Sequence, residues 1–126
     1  AVALPMSLAY LLHMADSTIM AFATRAVTTP IAINTATLLD APISLAILIV
    51  ILSGVIGAAF SPLILRHIND ERASGLALGL AAHAIGTAQA WQRGSIAGRY
   101  AAFGMAVNAV FTALWLPTFI LYLAKT

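Results

Sequence analysis

The chain has 126 residues, of which 62% are hydrophobic and only 8% are charged, and its formal net charge is +2. About a quarter of the residues of a soluble domain are charged, so this chain has too few charges to cover its surface in water. Its six basic residues are too scattered for a nucleic-acid partner, and the lack of cysteine excludes thiol chemistry and cysteine metal sites. The composition therefore predicts an integral membrane protein in contact with the lipid bilayer.

Three stretches are apolar enough to stand in lipid. Residues 1–12 predict the end of a span. Residues 43–65 contain no charged residue and form a helix long enough for a hydrocarbon core of about 30 Å, and residues 100–123 are similar. Because only helices and closed barrels satisfy their backbone in lipid, these stretches predict an all-α helical bundle, with residues 1–126 as a single transmembrane domain.

The stretch 17–39 also has the length of a crossing, but it carries Arg25, Pro30 and Asn34. An arginine at mid-depth costs about 2.5–3.5 kcal/mol, and the few large apolar residues of this stretch barely offset that. We therefore predict that it is shielded from lipid, inside the bundle or against a wet cavity.

Pro30 makes this prediction more specific, because proline disfavours helical geometry at Thr29 and suits the first position of a helix. We predict a broken crossing, with a helix near residues 17–24 and a second over 30–39 that Thr29 caps. A half-helix that starts beside Arg25 is typical of an anion site. The alternative is that Pro30 starts an ordinary helix at the membrane surface, where Arg25 is an interfacial cation.

The stretch 74–90 is rich in small residues, and we predict a small-residue crossing or a re-entrant helix. On one continuous helix Gly75, Gly79, His83 and Gly86 or Thr87 share a face. Small residues four apart let another helix come close, so this face is predicted to point inward with His83 on it. An inward ionisable residue is a functional candidate, although His83 can also simply hydrogen-bond a neighbouring helix. The predicted helix-packing residues are Gly54, Gly57, Gly75, Gly79 and Gly86.

Three segments resemble the LrgB/CidB family: AVTTPIAI (Ala26–Ile33), LSGVIGAAFSPLIL (Leu52–Leu65) and GLALGLAAHAIGTAQA (Gly75–Ala90). Members of that family are described as antiholin-like modulators of murein hydrolase export. They include the plastid glycolate/glycerate translocator, and members paired with LrgA-type partners are implicated in pyruvate uptake. Family members are longer at the N-terminus. The resemblance implies that this chain is the C-terminal half of such a protein, with discontinuous helices, like one half of an inverted-repeat transporter.

The chain departs from the family pattern at four positions and in the loop after the third segment, QRGSIAGRY, where the usual acidic residues are absent. Arg25 stands where a lysine is usual, Ala26 and Ala82 stand where serine is usual, and Gln89 stands where arginine is usual. Arginine binds a carboxylate through two parallel hydrogen bonds, which lysine cannot do.

Two functions follow from the residues and the resemblance together. The first is transport of small monocarboxylates such as glycolate, glycerate or pyruvate, coupled to a proton or a sodium ion and without cofactor or metal. The predicted substrate-binding residues are Arg25, Thr28, Thr29, Asn34, His83 and Thr87. The alternative is an antiholin-like subunit that modulates murein hydrolase activity together with a holin-like partner.

The expected partners and location follow the same resemblance. We expect a homo-oligomer, or a complex with an N-terminal half or a holin-like LrgA-type subunit. The bacterial inner membrane is the expected location, and an organelle inner membrane is the alternative. No enzymatic activity is predicted, because the apolar segments contain no acidic residue, no pair of histidines at metal-ligand spacing and no Gly-x-Ser-x-Gly turn.

The orientation in the membrane depends on how many segments cross. If both weaker stretches cross, Arg66, Arg72 and Lys125 lie on one side, and Arg93 and Arg99 lie on the other. Three basic residues against two favour the first side as cytoplasmic by a narrow margin.

Overall fold

The computed structural model describes residues 2–123, with every side chain in that range except those of residues 120, 121 and 123. These residues form helices and no strand, so the prediction of an all-helical protein is confirmed. The helices are α1 (Ala3–Leu11), α2 (Asp16–Ala23), a 3₁₀ turn (Thr24–Ala26), α3 (Thr29–Leu38), α4 (Ile43–Ile64), α5 (Glu71–Arg93) and α6 (Ser95–Leu123).

Two of these helices are long and apolar enough to cross a membrane. Ile43–Ile64 has a mean hydropathy of 2.7 and Ser95–Phe119 one of 1.4. The core helix of a soluble protein passes the same test, but such a helix is mostly buried. Here only 28% and 22% of the most apolar window of each helix is buried. The exposed apolar side chains of α4, such as Leu52, Ile56 and Phe60, match a helix that faces lipid or another protein.

The described residues divide into two compact units, and α4 and α6 each contribute one end to both. The first unit contains residues 2–50 and 109–123. Its interior is built from small side chains. One buried cluster of alanines joins α2, α3 and the start of α4. A second cluster joins the residues just before α3, α3 itself and α4. The members of these clusters are Ala21, Ala36, Ala41 and Ala46, and Val27, Ala32 and Val50.

The second unit, residues 51–108, is organised around a reversal of chain direction inside α5. His83 has φ 50° and ψ −129°, which are not helical values. A Cβ atom on Gly94 would lie 3.3 Å from Oε2 of Glu71. In one straight helix these two residues, 23 positions apart, would be separated by about 34 Å. The chain therefore turns back at His83, and residues 71–82 and 84–93 run antiparallel. We call them the first and second arms of the α5 hairpin.

Glycines allow the α5 hairpin to lie close to its neighbours. A Cβ atom on Gly75 would collide with the backbone of Ala97, and one on Gly79 with the backbone of Ala101, so the first arm meets α6 at backbone distance. A Cβ atom on Gly86 would collide with the carbonyl of Leu78 on the opposite arm.

The glycines of α4 sit more loosely against the hairpin. A Cβ atom on Gly54 would lie 3.1 Å from Cδ1 of Ile85, and one on Gly57 would lie 3.0 Å from Cβ of Ala82. The expectation that Gly75, Gly79, His83 and Gly86 or Thr87 share one face of a continuous helix is wrong, because the helix is interrupted at His83 and the later residues belong to the second arm.

A serine next to the internal proline of α4 holds the second arm. Pro62 has no N–H, so the carbonyl of Ala58 loses its helical donor. The hydroxyl of Ser61 donates to that carbonyl at 2.8 Å. The same oxygen lies 2.8 Å from the side-chain amide of Gln89 and accepts from Arg93 at 3.1 Å. Ser61 therefore joins the proline-containing turn of α4 to the second arm.

Candidate functional site

The first polar break lies between α2 and α3. The chain passes from α2 into the 3₁₀ turn, and Val27 then adopts an extended conformation with φ −126° and ψ 171°. The hydroxyl of Thr24 is buried and donates to the carbonyl of Ala21 at 2.8 Å, which gives a carbonyl in the last turn of α2 a hydrogen-bond donor. Arg25 lies in this turn, is half-buried, and takes part in at least one further interaction. A guanidinium is thus held at the break, and residues 17–39 contain no other charged side chain.

The start of α3 follows directly. The helix begins at Thr29, and the residue before it is the extended Thr28, with φ −74° and ψ 155°. The prediction that Thr29 caps this helix is wrong by one residue, and the side chain of Thr28 makes no capping hydrogen bond either. The amide of Ala32 donates to the carbonyl of Thr28 at 2.9 Å.

Because Pro30 has no N–H, the amides without a helical acceptor at this start are those of Thr28, Thr29 and Ile31. Amides at a helix start carry a partial positive charge and are suited to an anion.

Four residues near this break are predicted to bind substrate. Three of them lie at the junction between the 3₁₀ turn and α3, and the fourth lies further along α3. Arg25, Thr28 and Thr29 are all half-buried at the junction. Asn34 lies more than one turn further along α3 and is exposed. Its predicted contact with a substrate stays a prediction.

The second polar break is the tip of the α5 hairpin. His83 is only 4% exposed, and its Nδ1 atom is buried without a hydrogen bond, while the residue takes part in another interaction. Thr87 is buried in the first turn of the second arm, and its hydroxyl lies 3.8 Å from the sulfur of Met105. The first amides of the second arm have no acceptor within that arm, as at the start of any helix.

The two polar breaks belong to different units. Arg25, Thr28, Thr29 and Asn34 lie in the first, and His83 and Thr87 lie in the second. The expectation that all six line one pocket therefore stays a prediction. Within residues 2–123, no group of three histidine or acidic side chains is arranged to hold a metal ion.

Comparison with known proteins identifies the family. A sequence model of the LrgB-like family matches residues 1–122. The chain belongs to the LrgB-like family. Among its relatives, the protein YwbG of Bacillus subtilis is 32% identical over 108 residues, which make up 84% of this chain and 48% of YwbG. The holin-like protein CidB of Staphylococcus aureus is 30% identical over 99 residues, 77% of this chain and 43% of CidB.

CidB of Staphylococcus epidermidis, also named a holin-like protein, is 30% identical over 106 residues, 82% of this chain and 46% of that protein. The LrgB-family chain thus spans about half the length of the curated relatives it matches. No solved structure matches it.

Membership of the LrgB-like family confirms the resemblance found in the three sequence segments. Together with the two apolar helices, it supports a membrane protein related to the bacterial CidB proteins. The polar residues of both breaks lie inside the matched range, so they belong to the LrgB-like part of the chain.

Proposed function

We propose that this chain is part of a transporter of small monocarboxylates, and that the break before α3 binds the carboxylate. The observation that carries the proposal is a helix start without a side-chain cap, whose first backbone amides have no acceptor within the helix, directly after a turn that holds a half-buried arginine. Interrupted helices whose positive ends point at an anionic group are the usual binding elements of secondary transporters.

Arg25 supplies the charge and the geometry. Its guanidinium can donate two parallel hydrogen bonds to one carboxylate, and such charge-assisted bonds are the strongest that a protein forms. The amides of Thr28, Thr29 and Ile31 and the hydroxyl of Thr28 are the further donors of this junction. The exposed Asn34 is not part of the proposed site.

The hairpin tip contributes a second polar group to the same function. Histidine changes its charge near neutral pH, which suits a residue that carries a coupled proton. The reversal keeps His83 at the end of two short arms, away from the loops that join α5 to its neighbours. A sodium ion is the other coupling ion compatible with the proposal, and no enzymatic step is assigned to the chain.

Replacing Arg25 by glutamine is expected to weaken carboxylate binding by roughly 10- to 150-fold, because a hydrogen bond to a charged group contributes about 1.5–3 kcal/mol. The measurement is binding of radiolabelled pyruvate and glycolate to the purified protein, followed by uptake into vesicles that contain it. The matched control is Asn34→Ala, which removes a polar side chain of α3 outside the proposed site and is expected to bind like the unaltered protein. Equal binding by the Arg25→Gln variant would rule the site out.

The alternative function, a regulatory subunit of a holin-like assembly, rests on the names of the CidB relatives and on the exposed apolar faces of α4 and α6. The two functions are separated by reconstitution. Flux of a monocarboxylate through vesicles that contain the protein supports transport, whereas lysis that depends on a holin-like partner without any flux supports regulation.

A further inference from the structure

The reversal of α5 determines which charged residues share a side of the membrane, independently of any substrate. In a straight α5, the connection before it and the connection after it would lie on opposite sides. In the hairpin, Glu71 and Gly94 are neighbours, so both connections lie at the open end of the hairpin, opposite His83. The end of α4 and the start of α6 lie there too, because short connections join them to the hairpin.

The lengths of the two arms fit a hairpin that enters the membrane and leaves on the side where it entered. The first arm has 12 residues and the second has 10. At a rise of 1.5 Å per residue they reach about 18 Å and 15 Å, roughly half of a hydrocarbon core of about 30 Å. Charged residues occur at the base of the hairpin and are absent from residues 73–92.

The base of the hairpin carries a net positive charge. It consists of the two ends of α5, the connections before and after α5, and the start of α6. Four arginines and two acidic residues lie there, which leaves two positive charges in excess. These residues are Arg66, Arg72, Arg93, Arg99, Asp70 and Glu71. All four arginines are exposed, and each has a neutral partner: His67, the ring of Tyr100, Ser61 and Ser95, respectively. We call this set the basic base.

Two aromatic side chains near the basic base indicate that it lies at the level of the lipid headgroups. Trp91 is half-exposed near the end of the second arm, and Tyr100 is exposed beside Arg72 with 5.9 Å between the guanidinium and the ring centre. Trp and Tyr are enriched where the hydrocarbon core meets the headgroups. At the other end of α4, the connection 39–42 carries one acidic residue, Asp40, and no basic one.

We propose that the basic base lies at the cytoplasmic face of the membrane and contacts the anionic headgroups of its inner leaflet. Basic residues in short loops next to membrane helices are retained on the cytoplasmic side, where anionic lipids are also concentrated. The hairpin thus places four arginines on one side of the membrane. If α5 crossed the membrane completely, as would the stretch 17–39, the basic residues would be divided three against two between the sides. Lys125, the remaining basic residue of that division, lies outside the described residues.

The absence of cysteine from the sequence makes the topology directly testable. Single Asn69→Cys, Ser95→Cys and Ser44→Cys variants of the full chain are expressed in bacteria and labelled with a membrane-impermeant maleimide, in spheroplasts and in inside-out vesicles. The Asn69→Cys and Ser95→Cys variants are both expected to label at least ten-fold more in inside-out vesicles, and the Ser44→Cys variant at least ten-fold more in spheroplasts. Labelling of the first two from opposite sides, or of both from outside, overturns the proposal.

The lipid contact is tested separately with the Arg66→Gln/Arg99→Gln variant. The unaltered protein in nanodiscs is expected to unfold at a midpoint several degrees higher with phosphatidylglycerol than with phosphatidylcholine alone. The variant is expected to lose most of that difference, whereas the control Gln92→Ala, a neutral change at the same surface, is expected to keep it. Equal midpoints of the unaltered protein in the two lipids overturn the headgroup contact.

Discussion

Replacing Gly79 by alanine is expected to lower the free energy of unfolding by about 3 kcal/mol, because the added methyl group has no room. It would overlap the carbonyl oxygen, the carbonyl carbon and the Cα atom of Ala101. These are backbone atoms in the second turn of α6, and they cannot rotate away as a side chain can. Relief requires the first arm and α6 to separate, and their contact through small residues would be lost. The measurement is thermal unfolding of the purified protein in detergent.

The matched control is Gly54→Ala. Its methyl group would lie 3.1 Å from Cδ1 of Ile85, the end of a flexible side chain, and 3.3 Å from the carbonyl oxygen of Ala82, so a shift of a few tenths of an ångström relieves both contacts. We expect this variant to lose less than about 1 kcal/mol. If Gly79→Ala is as stable as Gly54→Ala, the first arm does not meet α6 at backbone distance and the described packing of the hairpin is wrong.

Comparing glycine and alanine at position 83 is expected to reveal the backbone conformation of the hairpin tip. Both substitutions remove the imidazole, so its contribution cancels in the comparison. At φ 50° and ψ −129° an alanine is strained by about 1–3 kcal/mol and glycine is not, whereas glycine loses about 0.5–1 kcal/mol of extra chain entropy on folding. The His83→Gly variant is therefore expected to be more stable than His83→Ala by about 1 kcal/mol.

The sign of this difference is the informative result. In the interior of an ordinary helix alanine is better than glycine by about 1 kcal/mol, so a straight α5 would reverse the order of the two variants. The two variants also separate the roles of the residue. If the imidazole carries a proton, both lose coupled uptake, whereas a purely conformational role lets His83→Gly retain it.

The sequence indicates the structural features that have local causes. The long apolar runs of α4 and α6 predict their helices within a few residues, although α6 starts five residues earlier, at Ser95. The interruption before α3 has a local signal in Pro30, whose ring restricts the preceding residue. The position of the cap was missed by one residue, because Thr28 and Thr29 are equivalent as far as sequence rules can tell.

The reversal at His83 has no comparable local signal. Its neighbours Ala82 and Ala84 favour helix, and neither proline nor glycine occupies the turn. The reversal depends on contacts between residues far apart in sequence, such as Gly79 with Ala101. The contact between Ser61 and Gln89 was missed for the same reason, since it exists only once the second arm turns back toward α4.

The described fold of α5 depends most on the chain turning back at His83, and cross-linking in the membrane measures that turn directly. In the chain without native cysteine, a Glu71→Cys/Gly94→Cys double variant is treated with a bifunctional thiol reagent shorter than about 8 Å, and intramolecular products are identified by mass spectrometry. The control is a Glu71→Cys/Ala82→Cys variant, whose two positions are about 16 Å apart along one arm. The hairpin predicts an efficient link between positions 71 and 94 and none in the control. An unlinked 71–94 pair, whose thiols both react with a monofunctional reagent, would show that α5 is straight and contradict the account.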